Sequence, residues 1–151
     1  GPNFINCISF YDDVNYKERP GKVIAKNTVF NGAVYCITDS YFESCKFAHS
    51  DKGAWCPMAD CYGNVYFKNC EFGKYGRPIP PGHYYDLEPP FDYDYGVYNS
   101  VAGTVIEFTG CRYSNGAAFD KSIFLRGPIT PSKIIIDGTI YTDMTIFPWW
   151  G

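Results

Sequence analysis

Three acidic residues, Glu88, Asp92 and Asp94, lie close together in a proline-rich stretch of the chain. Asp92 and Asp94 alternate, so an extended backbone would put both carboxyl groups on one side, roughly 7 Å apart. Glycoside hydrolysis uses two carboxyl groups either about 5 Å or about 6.5 to 9.5 Å apart, and this pair falls in the second, inverting range. A solvated loop is the simpler explanation of such a pair. The nearby cations, Lys74 and Arg77, form no arrangement that supports a lyase mechanism.

The same stretch, a loop insertion at residues 73–96, also carries many aromatic rings. Rings offer flat apolar faces and carboxylates accept hydrogen bonds from hydroxyl groups, a combination that suits a sugar. Five prolines stiffen the segment, so it could hold a shape without a core of its own. The alternative is that the rings fold over the side of the molecule or pack against a neighbouring subunit. The expected carbohydrate-binding residues are Tyr75, Tyr84, Tyr85, Asp86, Phe91, Asp92, Tyr93, Asp94 and Tyr95.

Seven cysteines raise the question of a metal site or a disulfide framework. Cys56 and Cys61, with Cys36, form the group most like a metal site, but no second Cys or His pair completes four ligands for zinc. Asp12 and Asp13 could contribute oxygen ligands to calcium, although a solvated loop is the simpler explanation. The odd number of cysteines argues against an extensive disulfide framework. We therefore expect no metal site and no cofactor.

The other four cysteines belong to a pattern that recurs along the chain and would position these loops. It consists of an apolar residue, any residue, Asn, Ser or Gly, then Cys or Thr, and is clearest in Val65–Phe72. Steps of 21, 17, 25, 41 and 28 residues separate its copies, which is typical of a solenoid with three short strands per step. The Cys or Thr of each copy is Cys7, Thr28, Cys45, Cys70, Cys111 or Thr139.

Each copy predicts a strand that turns a corner. Val65 and Phe67 alternate with Tyr66 and Lys68, so the first pair is expected to face the core. One residue is then used for a bend, after which the Cys or Thr points inward again as a core residue. Asn and Gly tolerate the left-handed backbone that such a corner needs. The predicted corner residues are Asn6, Asn27, Ser44, Asn69, Gly110 and Gly138.

With this repeat, residues 3–143 resemble the right-handed parallel β-helices of the pectin-lyase-like superfamily, in which an Asn corner is a known feature. The resemblance implies an all-β solenoid of about six coils, roughly 25 to 30 Å long at the spacing between strands. The superfamily includes polysaccharide lyases, pectin esterases and viral tail spikes, many of which are trimers. In character the chain is most similar to the β-helices of phage tail fibres and tail spikes.

Two segments, residues 32–45 and 65–70, are also similar to the core of pectin methylesterases. That family places a Gln-Asp pair before the first of these strands and a catalytic Asp between them. This chain has Asn31-Gly32 and then Ala54–Gly63 at those places. The similarity therefore implies a shared scaffold without the catalytic residues of the esterases.

Composition agrees with an all-β, turn-rich protein and excludes some partners. The 151 residues allow one domain with a sizeable core, and Gly 15 and Pro 11 favour frequent turns. The net charge of −3 leaves no basic stripe for phosphates, so no nucleic acid is expected. No apolar run approaches membrane-spanning length, so no membrane insertion is expected.

The two ends of the chain predict how the domain continues. Residues 1–2, Gly-Pro, are expected to be the remnant of a cleaved tag, and residues 3–151 a single β-helix domain within a longer chain. The tail, residues 144–151, is apolar. Phe147, Trp149 and Trp150 are expected to cap the last coil or to form contacts in a homotrimer.

These observations predict a carbohydrate-recognising β-helix segment of an extracellular or virion-surface protein. Its expected partner is a polysaccharide or a cell-surface glycan, with self-association into a homotrimer. One alternative is a polysaccharide hydrolase or lyase that uses Asp92, Asp94 or Glu88 as acids. The second alternative is a purely structural rod segment.

Overall fold

The computed structural model describes residues 3–5, 8–10, 22–30, 34–36, 39–48, 59–73, 96–113, 124–126, 129–147 and 149–150, which are almost entirely strands and turns. Within these ranges a short 3-10 helix, Met144–Ile146, precedes the last strand. The strands are β1 (Asn3–Ile5), β2 (Ile8–Phe10), β3 (Lys22–Lys26), β4 (Thr28–Phe30), β5 (Val34–Cys36), β6 (Asp39–Glu43), β7 (Lys46–Ala48), β8 (Ala59–Cys61), β9 (Val65–Lys68), β10 (Glu71–Gly73), β11 (Gly96–Asn99), β12 (Val105–Thr109), β13 (Arg112–Tyr113), β14 (Phe124–Arg126), β15 (Lys133–Ile136), β16 (Thr139–Tyr141) and β17 (Trp149–Trp150).

The strands form three sheets with a regular rule of connection. Sheet A has the order β1-β4-β7-β10-β13, sheet B the order β17-β14-β11-β8-β5-β2, and sheet C the order β16-β15-β12-β9-β6-β3. Apart from β15 with β16, each strand pairs in parallel with the strands three places away along the chain. The prediction of an all-β chain with parallel strands is therefore confirmed.

A single residue with a left-handed backbone follows each of the first four strands of sheet C and starts the turn onto sheet A. The φ angle is 50° at Asn27, 54° at Ser44, 52° at Asn69 and 65° at Gly110. A left-handed backbone costs most residues roughly 1–2 kcal/mol, and Asn and Gly adopt it most readily. The N–H of Asn69 also donates to the carbonyl of Thr109, 2.8 Å away in the adjacent strand. The predicted corner is confirmed at these four positions, whereas Asn6 lies outside the described residues.

Two interlocking phenylalanine stacks fill the core between sheets C and A. Phe42, Phe67 and Phe108 of sheet C stack with ring centroids 5.4 and 5.0 Å apart. Phe30, Phe47 and Phe72 of sheet A stack at 5.2 and 5.0 Å. Rings of the two stacks meet edge to face, as Phe47 and Phe67 do at 5.3 Å. Stacked and edge-to-face pairs are both favourable ring geometries, and all six rings are at most 1% exposed.

The Cys or Thr that follows each corner packs beside these rings. Thr28, Cys45 and Cys70 are buried, and Cys111 is half-buried. Each donates to the backbone carbonyl two residues earlier, at 2.9 Å from Thr28 and 3.5 Å from Cys45 and Cys70. The position therefore suits a small side chain with one donor, which explains why Cys and Thr replace each other. The predicted core role is confirmed for these residues, and the three cysteines are free thiols.

The last copy of the pattern differs from the prediction. Asp137 and Gly138 have φ angles of 47° and 84°, and β15 and β16 pair antiparallel. Two successive residues with positive φ are typical of a two-residue hairpin turn, for which Asp-Gly is a favoured sequence. The chain therefore reverses along the edge of sheet C instead of turning onto sheet A. Gly138 is not a sixth corner, and Thr139, predicted to lie in the core, is exposed.

The C-terminal segment folds back onto the molecule. Phe147 is 4% exposed, and its ring meets Tyr141 edge to face at 5.5 Å. Asp143 accepts hydrogen bonds from the backbone N–H and the hydroxyl of Thr145 and so caps the 3-10 helix. The backbone of Trp149 and Trp150 then extends sheet B beside β14. Phe147 is thus buried, and the role of Phe147, Trp149 and Trp150 as a cap or as trimer contacts stays a prediction.

Candidate functional site

The loop predicted to bind carbohydrate lies outside the described residues. This applies to its predicted binding and catalytic residues, Tyr75, Tyr84, Tyr85, Asp86, Glu88, Phe91, Asp92, Tyr93, Asp94 and Tyr95. The strands at its two ends are described: β10 pairs with β7 in sheet A, and β11 pairs with β8 in sheet B. The insertion therefore connects sheet A to sheet B, and the roles assigned to its residues remain predictions.

The described residues present a different candidate on the outward face of sheet C. Parallel pairing in register lines up outward side chains in rows across the strands. Tyr41 of β6 lies opposite Tyr66 of β9, which lies opposite Glu107 of β12. The two tyrosine rings stack with centroids 5.3 Å apart and planes 10° apart. The row continues to Ile24 at one end and to Ile135 at the other.

An open depression of about 320 Å³ lies beside this tyrosine stack. Tyrosine rings supply apolar surface, while carboxylates and an amide supply hydrogen-bonding groups. Apolar walls with a few convergent polar groups are typical of binding sites for small ligands. The lining residues are Val23, Asp39, Ser40, Tyr41, Asn64, Val65, Tyr66, Val105 and Glu107.

Hydrogen bonds between strands fix the polar side of the depression. Asp39 Oδ1 accepts the backbone N–H of Asn64 at 3.0 Å, and Asn64 Oδ1 accepts the backbone N–H of Val105 at 2.8 Å. The two side chains thereby bridge the beginnings of β6, β9 and β12. Within the described ranges, these contacts leave the second carboxylate oxygen of Asp39 and the amide NH₂ of Asn64 able to meet a ligand.

A row of charges borders the tyrosine stack on the side of the corners. Glu43 carboxylate oxygens lie 3.4 Å from Lys26 Nζ and 3.6 Å from Lys68 Nζ. Beside them, the hydroxyl of Tyr66 donates to Thr109 Oγ1 at 3.1 Å. Ion pairs this exposed contribute less than about 1 kcal/mol each. The row therefore keeps one positive charge in excess, since two lysines share one glutamate, and it marks the edge of the depression.

The central cysteine of the core, Cys70, is held in its unreactive form. The neighbouring thiols of Cys111 and Cys45, together with burial, raise the pKa of Cys70, so this thiol stays protonated at neutral pH. The thiolate is the reactive form of cysteine, so a protonated, buried thiol is inert. This agrees with the structural role derived from the repeat.

The candidate metal ligands are only partly described. Cys61 is buried and lies opposite Cys36 in the strand register, while Cys56, Asp12 and Asp13 lie outside the described residues. Among the residues that the structure does describe, no group of three or more His, Cys, Asp or Glu side chains is placed to hold a metal ion. The expectation that the chain binds no cofactor stays a prediction.

The spacing of the repeat in the sequence contains a signal for the tyrosine stack. Tyr41 and Tyr66 each stand four residues before the Cys of their copy, and Asp39 and Asn64 each stand six before it. Because the copies pair in register, equal distances from the Cys predict neighbouring positions on one face. Glu107, four residues before Cys111, belongs to the same row as the tyrosines.

Comparison with protein-family models, with curated proteins and with solved structures gives no match for this chain. In the ranges that the structure covers, no helix is long and apolar enough to cross a membrane.

Proposed function

We propose that this chain is a carbohydrate-recognising segment of a right-handed parallel β-helix of the pectin-lyase-like kind. The β-helix is supported by the rule of strand connection, in which every third strand joins the same sheet in parallel, apart from the antiparallel pair of β15 and β16. It is also supported by the one-residue corners between sheets C and A. Carbohydrate recognition is supported by one observation, the depression beside Tyr41 and Tyr66.

The chemistry of a sugar matches the groups in this depression. A sugar ring has apolar C–H faces that pack on aromatic rings and hydroxyl groups that donate to carboxylates. Tyr41 and Tyr66 cover one face of each other, and the register turns the second face of Tyr66 toward Glu107. A sugar beside Tyr66 could therefore contact the ring and donate hydroxyls to Glu107 and Asp39.

The wider setting follows from the expectations for the loop and the tail. The parent protein is proposed to be extracellular or on the surface of a virion, such as a tail fibre or spike, and to form a homotrimer. The loop insertion at residues 73–96 would provide a second contact with the same glycan. A polysaccharide hydrolase or lyase that uses Asp92, Asp94 or Glu88 is the alternative, and an assay of glycan cleavage separates the two.

The test is binding and cleavage of a panel of oligosaccharides by the wild-type chain and by Tyr66→Ala. Loss of the ring is expected to weaken binding at least about tenfold, equivalent to about 1.4 kcal/mol, because the apolar wall is removed. Ile140→Ala is the matched control, since Ile140 is 60% exposed on the same sheet but does not line the depression. Far-ultraviolet circular dichroism checks that both variants fold.

Three results would change the proposal. Binding that survives Tyr66→Ala but is lost in Tyr93→Ala would remove the depression as the site and move recognition to the loop. Release of new reducing ends or unsaturated sugars, abolished by Asp92→Asn with Asp94→Asn, would replace recognition by catalysis. The absence of binding to any glycan, together with a trimeric mass, would favour a structural rod.

A further inference from the structure

Asp39 and Asn64 hold equivalent places at the starts of neighbouring strands. Ser40 pairs with Val65 in the register of β6 and β9, so the residues before them also lie opposite each other. Both side chains are exposed and line the depression. Asp39 Oδ1 accepts the backbone N–H of Asn64 at 3.0 Å, and Asn64 Oδ1 accepts that of Val105 at 2.8 Å. The two head groups are therefore anchored in the same way, one strand apart.

These strand contacts decide which atom of each head group is left to meet a ligand. The amide oxygen of Asn64 accepts from a backbone N–H, so the other amide atom is the NH₂ group, a donor. The second carboxylate oxygen of Asp39 is an acceptor. It has room for more than one hydrogen bond, so a neighbouring cation would not remove it. Because the side chains repeat at the strand spacing, the donor and the acceptor are about 4.8 Å apart.

Two hydroxyl groups on adjacent carbons of a sugar ring complement this donor and acceptor. One hydroxyl accepts from the amide of Asn64 while its neighbour donates to the carboxylate of Asp39, each at a length of about 2.8 Å. The hydrogen bond to the carboxylate is charge-assisted and therefore stronger than one between neutral groups. We propose that the depression recognises glycans through vicinal hydroxyl groups held between Asp39 and Asn64. This inference rests on the proposed carbohydrate function of the same site.

The tyrosine stack is placed to contact the ring that carries these hydroxyls. Tyr41 follows Asp39 by two residues, and Tyr66 follows Asn64 by two, so each polar residue shares the outward face with a tyrosine. Two residues of a strand span about 6.6 Å, a distance that one sugar ring with its hydroxyls bridges. The apolar C–H face of the sugar would then pack beside Tyr66 while its hydroxyl edge meets the strand starts.

The inference predicts which glycosidic linkages the depression accepts. A 1,4-linked hexose keeps its 2- and 3-hydroxyls as an adjacent pair at every position of the chain. In a 1,3-linked hexose the oxygen between the 2- and 4-hydroxyls carries the next sugar, which stands between them. A 1,3-linked chain whose reducing end is a methyl glycoside therefore offers adjacent ring hydroxyls only at its non-reducing end.

The experiment compares methyl glycosides of 1,4-linked and 1,3-linked hexasaccharides, of glucose and of galactose, by isothermal titration calorimetry. The 1,4-linked hexamer of at least one sugar is expected to bind at least about fivefold more tightly than its 1,3-linked counterpart, because it gains one further hydrogen bond. All four probes are uncharged, so the charged side chains around the depression contribute little to this ratio.

Asp39→Ala and Asn64→Ala locate the effect. Either substitution leaves one partner, which a single hydroxyl of either linkage can bind, so the preference is expected to fall to less than about twofold. The strand contact that each variant loses is exposed and is replaced by water, so both are expected to fold, as circular dichroism checks. Glu43→Ala is the matched control, because Glu43 lies on the outward face of β6 but does not line the depression.

The outcomes separate this inference from the proposed function. Equal binding of the two linkages, a preference unchanged in either alanine variant of the pair, or an equal fall in Glu43→Ala would overturn the inference while carbohydrate binding stands. If none of the four hexamers binds, the inference fails, and the proposed function fails with it when no glycan on a wider panel binds. A preference lost in both variants of the pair and kept in Glu43→Ala would support recognition of vicinal hydroxyls.

Discussion

The two faces of sheet C both carry stacked aromatic rings, but one stack is buried in the core and the other lies beside solvent. On the inward face, Phe42, Phe67 and Phe108 are closed over by a second stack from sheet A and are at most 1% exposed. On the outward face, Tyr41 and Tyr66 stack on each other and border an open depression. Strand register produces both stacks in the same way. The inward stack belongs to the core because sheet A packs over it, whereas the outward stack borders a depression.

When the copies of a repeat pair in register, the residues at one position of the repeat form a continuous row across the sheet. An apolar residue in an inward position becomes a continuous stack that stabilises the fold. A residue in an outward position becomes part of a row of side chains beside solvent, in which Tyr41 and Tyr66 are neighbours. A function could thus arise on the outward row without any change to the core.

The largest expected loss of stability comes from removing a ring of the inward stack. Phe67→Ala removes a ring packed against both stacks and is expected to lower the free energy of unfolding by about 3–5 kcal/mol. Tyr66→Ala, one residue away on the outward face, is expected to cost less than about 1.5 kcal/mol, because its ring is only half-buried. Urea denaturation of both variants measures the difference, and equal losses would contradict the division into core and surface stacks.

An intermediate loss of stability is expected from a substitution at Gly110, the corner residue that follows β12. Gly110→Ala places a side chain at a φ of 65°, where its Cβ would meet the Oδ1 of Asn69. Gly103→Ala is the control, because Gly103 has a φ of 80° and open space around it. Gly110→Ala is expected to cost more than the about 1–2 kcal/mol of backbone strain that both share.

A second variant tests the cause of that excess. In an Asn69→Gly background the obstructing side chain is gone, so Gly110→Ala should then cost no more than Gly103→Ala. An excess that persists would place the strain elsewhere than at Asn69.

The smallest expected effect concerns Cys70, at the margin of the inward stack, and depends on pH. Its pKa in the folded chain is raised above the ordinary value of about 9.0, so as pH rises the unfolded chain loses the proton first. The contribution of Cys70 to stability is therefore expected to fall above about pH 9, by up to about 1.4 kcal/mol per pH unit, whereas the lowered pKa values of Cys45 and Cys111 act in the opposite direction. Cys70→Thr, which keeps a donor of the kind present at Thr28, should be folded and lose less stability between about pH 9 and about pH 10.5. Thermal denaturation across this range makes the comparison, and identical slopes would mean that Cys70 does not set the alkaline limit.

Much of the described fold could be predicted because the determinants are local and repeated. A break in alternation after Phe67 and an Asn in the next-but-one position predict a corner, and its backbone is left-handed as expected. The prediction for the last copy is wrong because Asp137-Gly138 also favours a two-residue hairpin turn. This turn forms in place of the corner.

The candidate site could not be predicted from composition in the same way. The loop at residues 73–96 attracted attention because its tyrosines and acids are adjacent in sequence, whereas Asp39, Tyr66 and Glu107 come from three different strands. Their proximity depends on register, which spacing from the Cys of each copy predicts only after the sheets are assumed to stack.

Register is independent of the length of chain between the copies. Glu71 pairs with Lys46 across a step of 25 residues and with Arg112 across a step of 41, with the same parallel geometry. Closing a longer flexible loop costs only about 0.6 kcal/mol for each doubling of its length. Insertions at the connection between Gly73 and Gly96 are thus nearly neutral for folding, so this connection can diverge in sequence and length faster than the strands. It is also a natural place to graft a foreign binding segment.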